Sequence, residues 1–162
     1  MITDTLRRDY SLLIEGAAQH YVITRRIVCA AVNLSPRLAV EFADQLNTVE
    51  RRDKTYAEIA RVYIHRDPAD LDEEVIELVL SRITAGRVRD RALLAVLKHF
   101  AEINALKKIP WAYRLIKKAD TVLDLRDRSF GYAYVVKMLS AAGNEGQMHK
   151  CSDKFIDCWT KI

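Results

Sequence analysis

Histidine, cysteine and paired carboxylates are the side chains that most often carry catalysis or hold metals, so their spacing is the first constraint on this chain. His20, His65, His99 and His149 lie far apart in the sequence. None forms the pair four residues apart, with a Glu between, that lets one helix face hold zinc and a general base. Cys29, Cys151 and Cys158 are an odd number without Cys-x-x-Cys spacing, which argues against a thiolate zinc site or a disulfide framework and implies a reducing compartment. Cys29 sits in the apolar run from Ile27 to Val32 and reads as a small core residue rather than a nucleophile. Gly86, Gly131 and Gly143 stand alone, so neither a phosphate-cradling glycine loop nor a nucleophile elbow is present. The expectation is a protein that is not an enzyme, with no catalytic residues, no metal site and no cofactor.

What does recur is an Arg-Asp-basic triad, at Arg52-Asp53-Lys54, Arg89-Asp90-Arg91 and Arg126-Asp127-Arg128, each 37 residues from the next. Pro36 and Pro110 stand two such intervals apart, with Glu73 between them. Downstream of each Arg-Asp the apolar positions correspond: Tyr56, Leu93 and Phe130; Ile59, Val96 and Ala133; Ala60, Leu97 and Tyr134. Spacings of three and four describe an amphipathic helix, here helix B, and an Asp ahead of it can accept from the unpaired N–H groups of its first turn.

Upstream, Ser35-Pro36 combines a capping hydroxyl with a residue pre-set for the first helical position, and Asp72-Glu73 has the same sense. An apolar stripe follows at Ala39, Phe42, Ala43 and Leu46, then Ile76, Val79, Leu80 and Ile83, then Tyr113 and Ile116. This is helix A. Short turns near Asn47 to Arg51 and Thr84 to Val88 join A to B and force them antiparallel, and a linker such as Arg66 to Asp70 leads to the next pair. One pair cannot bury both faces, so successive pairs must stack.

The sequence therefore predicts a single all-α domain over 1–162: a right-handed α-solenoid of about seven to nine helices. Residues 1–34 form one or two capping helices, with Leu6, Tyr10, Leu13, Ala17, Tyr21, Val28 and Ala31 as the apolar face. Helix-pair repeats occupy 35–70, 71–107 and 108–143. After the stop at Gly143 to Gly146, residues 144–162 form a last helix carrying Cys151, Phe155, Cys158 and Trp159, which reads as an unpaired helix A. Half the residues are apolar, few are Gly or Pro, and no apolar run is long enough to span a membrane. A soluble, cytoplasmic protein is expected.

From Ser35 to Gly143 the chain resembles the tetratricopeptide-like superfamily of helical repeats, on the strength of Arg89-Asp90-Arg91-Ala92-Leu93-Leu94 before helix B. The family's 34-residue unit and its Trp-x-x-Leu-Gly-x-x-Tyr run are absent, and HEAT-like repeats are an alternative. The resemblance implies a scaffold that binds a peptide or protein on a concave face lined by helix A.

The second face of helix A changes along the array, from Arg37, Glu41 and Asp44 through Glu74, Leu78 and Ser81 to Trp111, Leu115 and Lys118. An aromatic and a Leu flanked by Arg114, Lys117 and Lys118 have the composition of an anchor pocket for an acidic or amphipathic segment. Leu78, Trp111 and Leu115 are thus the candidate apolar contacts and Arg114, Lys117 and Lys118 the charged rim; alternatively, Trp111 and Leu115 pack on the next helix. A nucleic-acid partner is the second reading, from Arg51, Arg52, Lys54, Arg61 and Arg66, among which Glu50, Asp53, Glu58 and Asp67 are interleaved. The net charge of +4 is a mild excess of the kind that mixed-charge helix surfaces carry.

Overall fold

The computed structural model describes residues 4–5, 7–9, 12 and 21–162. Leu6, Tyr10, Leu13 and Ala17, and with them the choice between one N-terminal helix and two, lie outside the described residues. The described chain is all-α, without strands. Its helices are α1 (Tyr21–Val32), α2 (Pro36–Asp44), α3 (Val49–Tyr63), α4 (Glu73–Arg82), α5 (Gly86–Glu102), α6 (Ala105–Lys108), α7 (Ala112–Leu115), α8 (Leu125–Ala141) and α9 (Glu145–Thr160). Short 3-10 segments cover Pro68–Asp70 and Ile116–Thr121.

From α2 onward, the long helices start where a side chain can accept a first-turn N–H. Ser35, Thr48, Asp72, Asp124 and Asn144 accept from Leu38, Arg51, Glu74, Asp127 and Gln147 at 3.3, 3.2, 2.9, 3.0 and 3.2 Å. Only α5 among them begins without such a side chain, at Ala85. The Arg-Asp carboxylates are therefore not the caps of their own helices, as the sequence suggested. Asp53 and Asp90 sit five residues into α3 and α5, and each is only 2% exposed. They reach instead to the turn that precedes the next long helix. Asp53 accepts from Thr84 N, Thr84 Oγ1 and Ala85 N at 3.1, 3.0 and 2.8 Å, and Asp90 accepts from Leu123 N at 2.9 Å. Asp53 thereby satisfies the start of α5, which has no local cap of its own.

The core is continuous from α1 to α9. Val28, Ala31 and Val32 of α1 pack with Phe42 and Ala43 of α2 and Ile59 and Tyr63 of α3; Val79, Val96, Leu97, Phe100, Val135 and Leu139 carry the same layer onward. Helix α3 packs on α5 and α5 on α8, while α9 covers α8. Fully burying side chains of this size contributes about 1.5–3 kcal/mol each, so this layer dominates the stability of the helices, most of which are too short to persist alone.

The third unit departs from the expected period. Arg52 Nη1 donates to Leu46 O at 2.7 Å and Arg128 Nε donates to Val122 O at 2.6 Å, each six residues back. The Tyr56 hydroxyl donates to Asp44 and the Tyr132 hydroxyl to Asp120, each twelve residues back. Arg128, not Arg126, thus matches Arg52 and Arg89, and the second interval is 39 residues rather than 37. Ser129, fully buried, holds the place of Asp53 and Asp90. Tyr132 and Val135 replace the expected Phe130 and Ala133 in the core, and Phe130 is 41% exposed.

The extra residues fall where a third helix A was expected. Pro110 lacks an N–H, and Asn104 adopts φ 54°, so the stretch breaks into α6, α7 and the 3-10 segment, and with the 3-10 segments counted the described residues form slightly more helical pieces than expected. The phase of its faces shifts with it. Leu115 is buried at 2% exposure, whereas Tyr113 of the expected core stripe faces outward.

Candidate functional site

The elements that occupy the helix A positions are tied to one another by ion pairs. Arg7 meets Glu41 at 3.1 Å, Arg37 meets Glu74 at 2.9 Å and Arg82 meets Asp44 at 3.6 Å. Arg114 holds Glu73 with its Nε at 2.8–2.9 Å, Lys118 meets Glu77 at 2.9 Å, and Lys154 meets Asp120 at 2.8 Å. All are surface pairs and each contributes little, but together they decide which cations are available to a ligand.

Beyond this row lies a cleft of about 490 Å³ between the 112–121 stretch and α9, lined by Tyr113, Arg114, Ile116, Lys117, Asp120, Tyr132, Leu139, Gln147, Lys150, Cys151 and Lys154. Its floor is apolar, from the partly buried Ile116 with Leu139 of the core beneath. Its rim is cationic: Lys117 and Lys150 are exposed and make no ion pair among the described residues, so their ammonium groups are free for a ligand. One wall is fixed by a small network in which Asp120 accepts from Tyr132 Oη at 2.7 Å and from Lys154 Nζ at 2.8 and 2.9 Å. Lys154 also lies 5.6 Å from the Tyr132 ring centre, over its face.

Protonation in the cleft follows from this packing. Burial pushes the Asp120 carboxyl up, but the hydrogen bonds from Lys154 and Tyr132 outweigh it and hold the group below its ordinary range. Burial, followed by the hydrogen bond to Asp120, drives the Tyr132 phenol upward, so Tyr132 is a hydrogen-bond donor at neutral pH. The Cys151 thiol is raised by burial and stays protonated. The carboxylate that lines the cleft, Asp120, is thus ionised and held by Lys154 and Tyr132, beside a protonated thiol and a neutral phenol.

The residues singled out from the sequence do not form one surface. Arg114 and Lys117 line the cleft. Leu115 lies in the core and cannot serve as the groove contact expected of it. Trp111 is half-buried: its indole N–H donates to Leu71 O at 3.3 Å and its ring lies 5.6 Å from Phe100, so it packs on the preceding unit. Lys118 is held by Glu77, and Leu78 lies in a shallow acidic depression with Glu73, Glu74, Glu77 and Ser81.

The cations that suggested nucleic acid are also engaged. Arg51 bonds Asn47, Lys54 pairs with Glu50 and Arg61 with Glu58, while Arg66 reaches Asn33 O and lies 5.7 Å from the Tyr63 ring centre. Arg52 is turned inward to Leu46 O.

Cys29 is partly buried with its thiol pushed up to about 11, by burial first and Glu58 second. Among the described residues no three His, Cys, Asp or Glu side chains are grouped to hold a metal ion, and no helix is long and apolar enough to cross a membrane.

Comparison with protein-family models, curated proteins and solved structures returned no significant match.

The cleft residues Lys150, Cys151, Lys154, Tyr132 and Asp120 carry no motif that singles them out in the sequence. The signal that points to two of them is the Asp–Tyr spacing of twelve, which occurs as Asp44/Tyr56 and again as Asp120/Tyr132.

Proposed function

We propose that the chain is a non-enzymatic interaction module, an α-solenoid of the tetratricopeptide-like or HEAT-like kind, that binds an acidic or amphipathic protein segment in the cleft between residues 112–121 and α9. The observation that carries this reading is the pairing of an apolar floor with two unpaired ammonium groups, Lys117 and Lys150, in a cleft of about 490 Å³. A bound segment would place an apolar side chain over Ile116 and a carboxylate between the lysines. Binding sites for short segments combine such an anchor pocket with a polar rim. Consecutive packing of α3, α5 and α8, with the row of ion pairs between their partner elements, supports the solenoid arrangement. The free thiols suit a reducing, cytoplasmic setting.

An array of fluorescent acidic amphipathic peptides tests the reading. Wild-type protein is expected to select peptides with an apolar residue flanked by Asp or Glu. Lys117→Glu with Lys150→Glu is expected to lose at least tenfold in affinity while circular dichroism stays unchanged, since removing a charged partner from an interface costs about 2 kcal/mol or more. Equal binding by the double variant would sink the assignment of this cleft.

A further inference from the structure

A second surface, on α5 and α8, has a different composition. Helices α5 and α8 together hold seven Arg and Lys against three Asp and Glu, an excess equal to the whole chain's net charge of +4. The three acids are Asp90, which is buried, Glu102 at the end of α5, and Asp127 in the first turn of α8. Arg89 is held by Asp90 and Arg128 is turned in to Val122 O. The other five cations, Arg87, Arg91, Lys98, Arg126 and Lys137, are exposed and make no ion pair among the described residues.

Their positions are ordered. Arg87, Arg91 and Lys98 are four and then seven residues apart and share one stripe of α5; Arg126, Phe130 and Lys137 repeat that spacing on α8. Arg87 and Arg126 are 39 residues apart, as are Arg91 and Phe130 and also Lys98 and Lys137, the interval that relates Arg89 to Arg128. The two stripes therefore occupy matching places on neighbouring packed helices. Packed helices lie about 8–10 Å apart, and each stripe runs about 16 Å along its helix. Phe130 is 41% exposed and is the one large apolar side chain of these two helices that stands out from the surface.

We propose that this face of α5 and α8 binds the phosphate backbone of single-stranded nucleic acid, with Phe130 as a stacking platform for a base. Two tracks of cations, one of which carries an exposed aromatic between its two cations, are what a sequence-tolerant single-strand surface needs: phosphate neutralisation supplies affinity and stacking holds the base. Three of the five cations are arginines, whose planar fork fits phosphate oxygens in pairs. A membrane surface would call for a wider apolar patch than a single Phe.

The test uses the full chain and a labelled 20-nucleotide oligouridylate, with binding read by fluorescence anisotropy from 50 to 300 mM salt. The expected result is binding with a slope of log affinity against log salt of about −3, which falls in magnitude by about 0.7 for each cation removed. Arg87→Ala with Arg126→Ala should show that change, and so should Arg91→Gln with Lys98→Gln, should the first pair disturb folding. Phe130→Ala should weaken binding about tenfold without changing the slope. Lys117→Glu with Lys150→Glu, in the separate cleft, should leave oligonucleotide binding in place. The proposal is overturned by no binding at 50 mM salt, by binding indifferent to both cation pairs, by equal affinity for polyglutamate, or by capture on vesicles containing phosphatidylserine in place of the oligonucleotide.

Discussion

Asp53 is the clearest case of a side chain whose role depends on a residue far away in sequence. Buried, it accepts three hydrogen bonds from Thr84 and Ala85, so Asp53→Ala leaves three donors at the start of α5 without a partner. The expected loss is about 2–3 kcal/mol, read from the midpoint of urea unfolding. Asp127→Ala, at the triad copy that the register shift displaces from this role, should cost about 0.5 kcal/mol, the value of one acid near a helix N-terminus. Equal losses at the two positions would show that the register is wrong. Cys29 gives a second prediction at this scale. Its thiol is pushed from an ordinary 9.0 up to about 11, so alkylation by iodoacetamide at pH 8 should run about 100-fold slower than for an ordinary thiol. The sign for stability follows from the same shift. The neutral thiol favours the folded state, so this contribution is present below about pH 9 and is lost as pH rises from 9 through 11. A Cys29 that alkylates at the rate of a free thiol would contradict its packing.

At the scale of the elements, the boundaries of α8 and α9 are set by backbone chemistry that is visible in the sequence. Gly143 has φ +73° with nothing near its Cβ position, so Gly143→Ala should cost about 1 kcal/mol through conformation alone. Gly146 lies in the first turn of α9 with equally open surroundings and no positive φ, and Gly146→Ala should instead stabilise by about 0.5 kcal/mol. Paired thermal melts of the two variants decide whether the turn is as described. Ser35, Asp72 and the pattern of Phe42, Ile59, Val79 and Val96 are likewise legible, because capping and 3.6-residue periodicity act within one helix. The break at Pro110 and the two added residues are not. An interval counted on Arg-Asp triads cannot distinguish a buried Asp that reaches the next turn from a half-buried Asp that happens to follow Arg126. Lys150 and Lys154 were invisible for a related reason: the cleft forms between elements, and no single helix carries its pattern. Leu115 takes the core place expected of Tyr113 because both lie in the single turn α7, which starts afresh after the break at Pro110 and does not keep the phase of a continuous helix.

At the scale of the whole molecule, stability should fall off towards α9, and that gradient bears on the function proposed. Helices α3 and α5 each bury one or more aromatic side chains almost fully, Tyr56 and Tyr63 in α3 and Phe100 in α5. In α9 only Cys158 is buried, while Ile156 and Trp159 are 58% and 50% exposed. Its hold on the rest is its packing on α8 and the Lys154–Asp120–Tyr132 network. Native-state hydrogen exchange should therefore show α9 opening first, with α3 and α5 the slowest to exchange, because a helix that buries little apolar surface opens locally at little cost. Acid should widen the difference. Asp120 ionises below its ordinary range, so its contribution is present above about pH 4 and is lost as pH falls through the lowered value, releasing Lys154. Since α9 forms one wall of the cleft, a segment bound between Lys117 and Lys150 can bind only the closed form and must slow exchange in α9 more than elsewhere. Peptide-dependent protection spread evenly over all helices would place the ligand elsewhere or make the chain one cooperative unit. Protection concentrated in residues 145–160, and absent in Lys117→Glu with Lys150→Glu, would tie the weakest element of the fold to its binding.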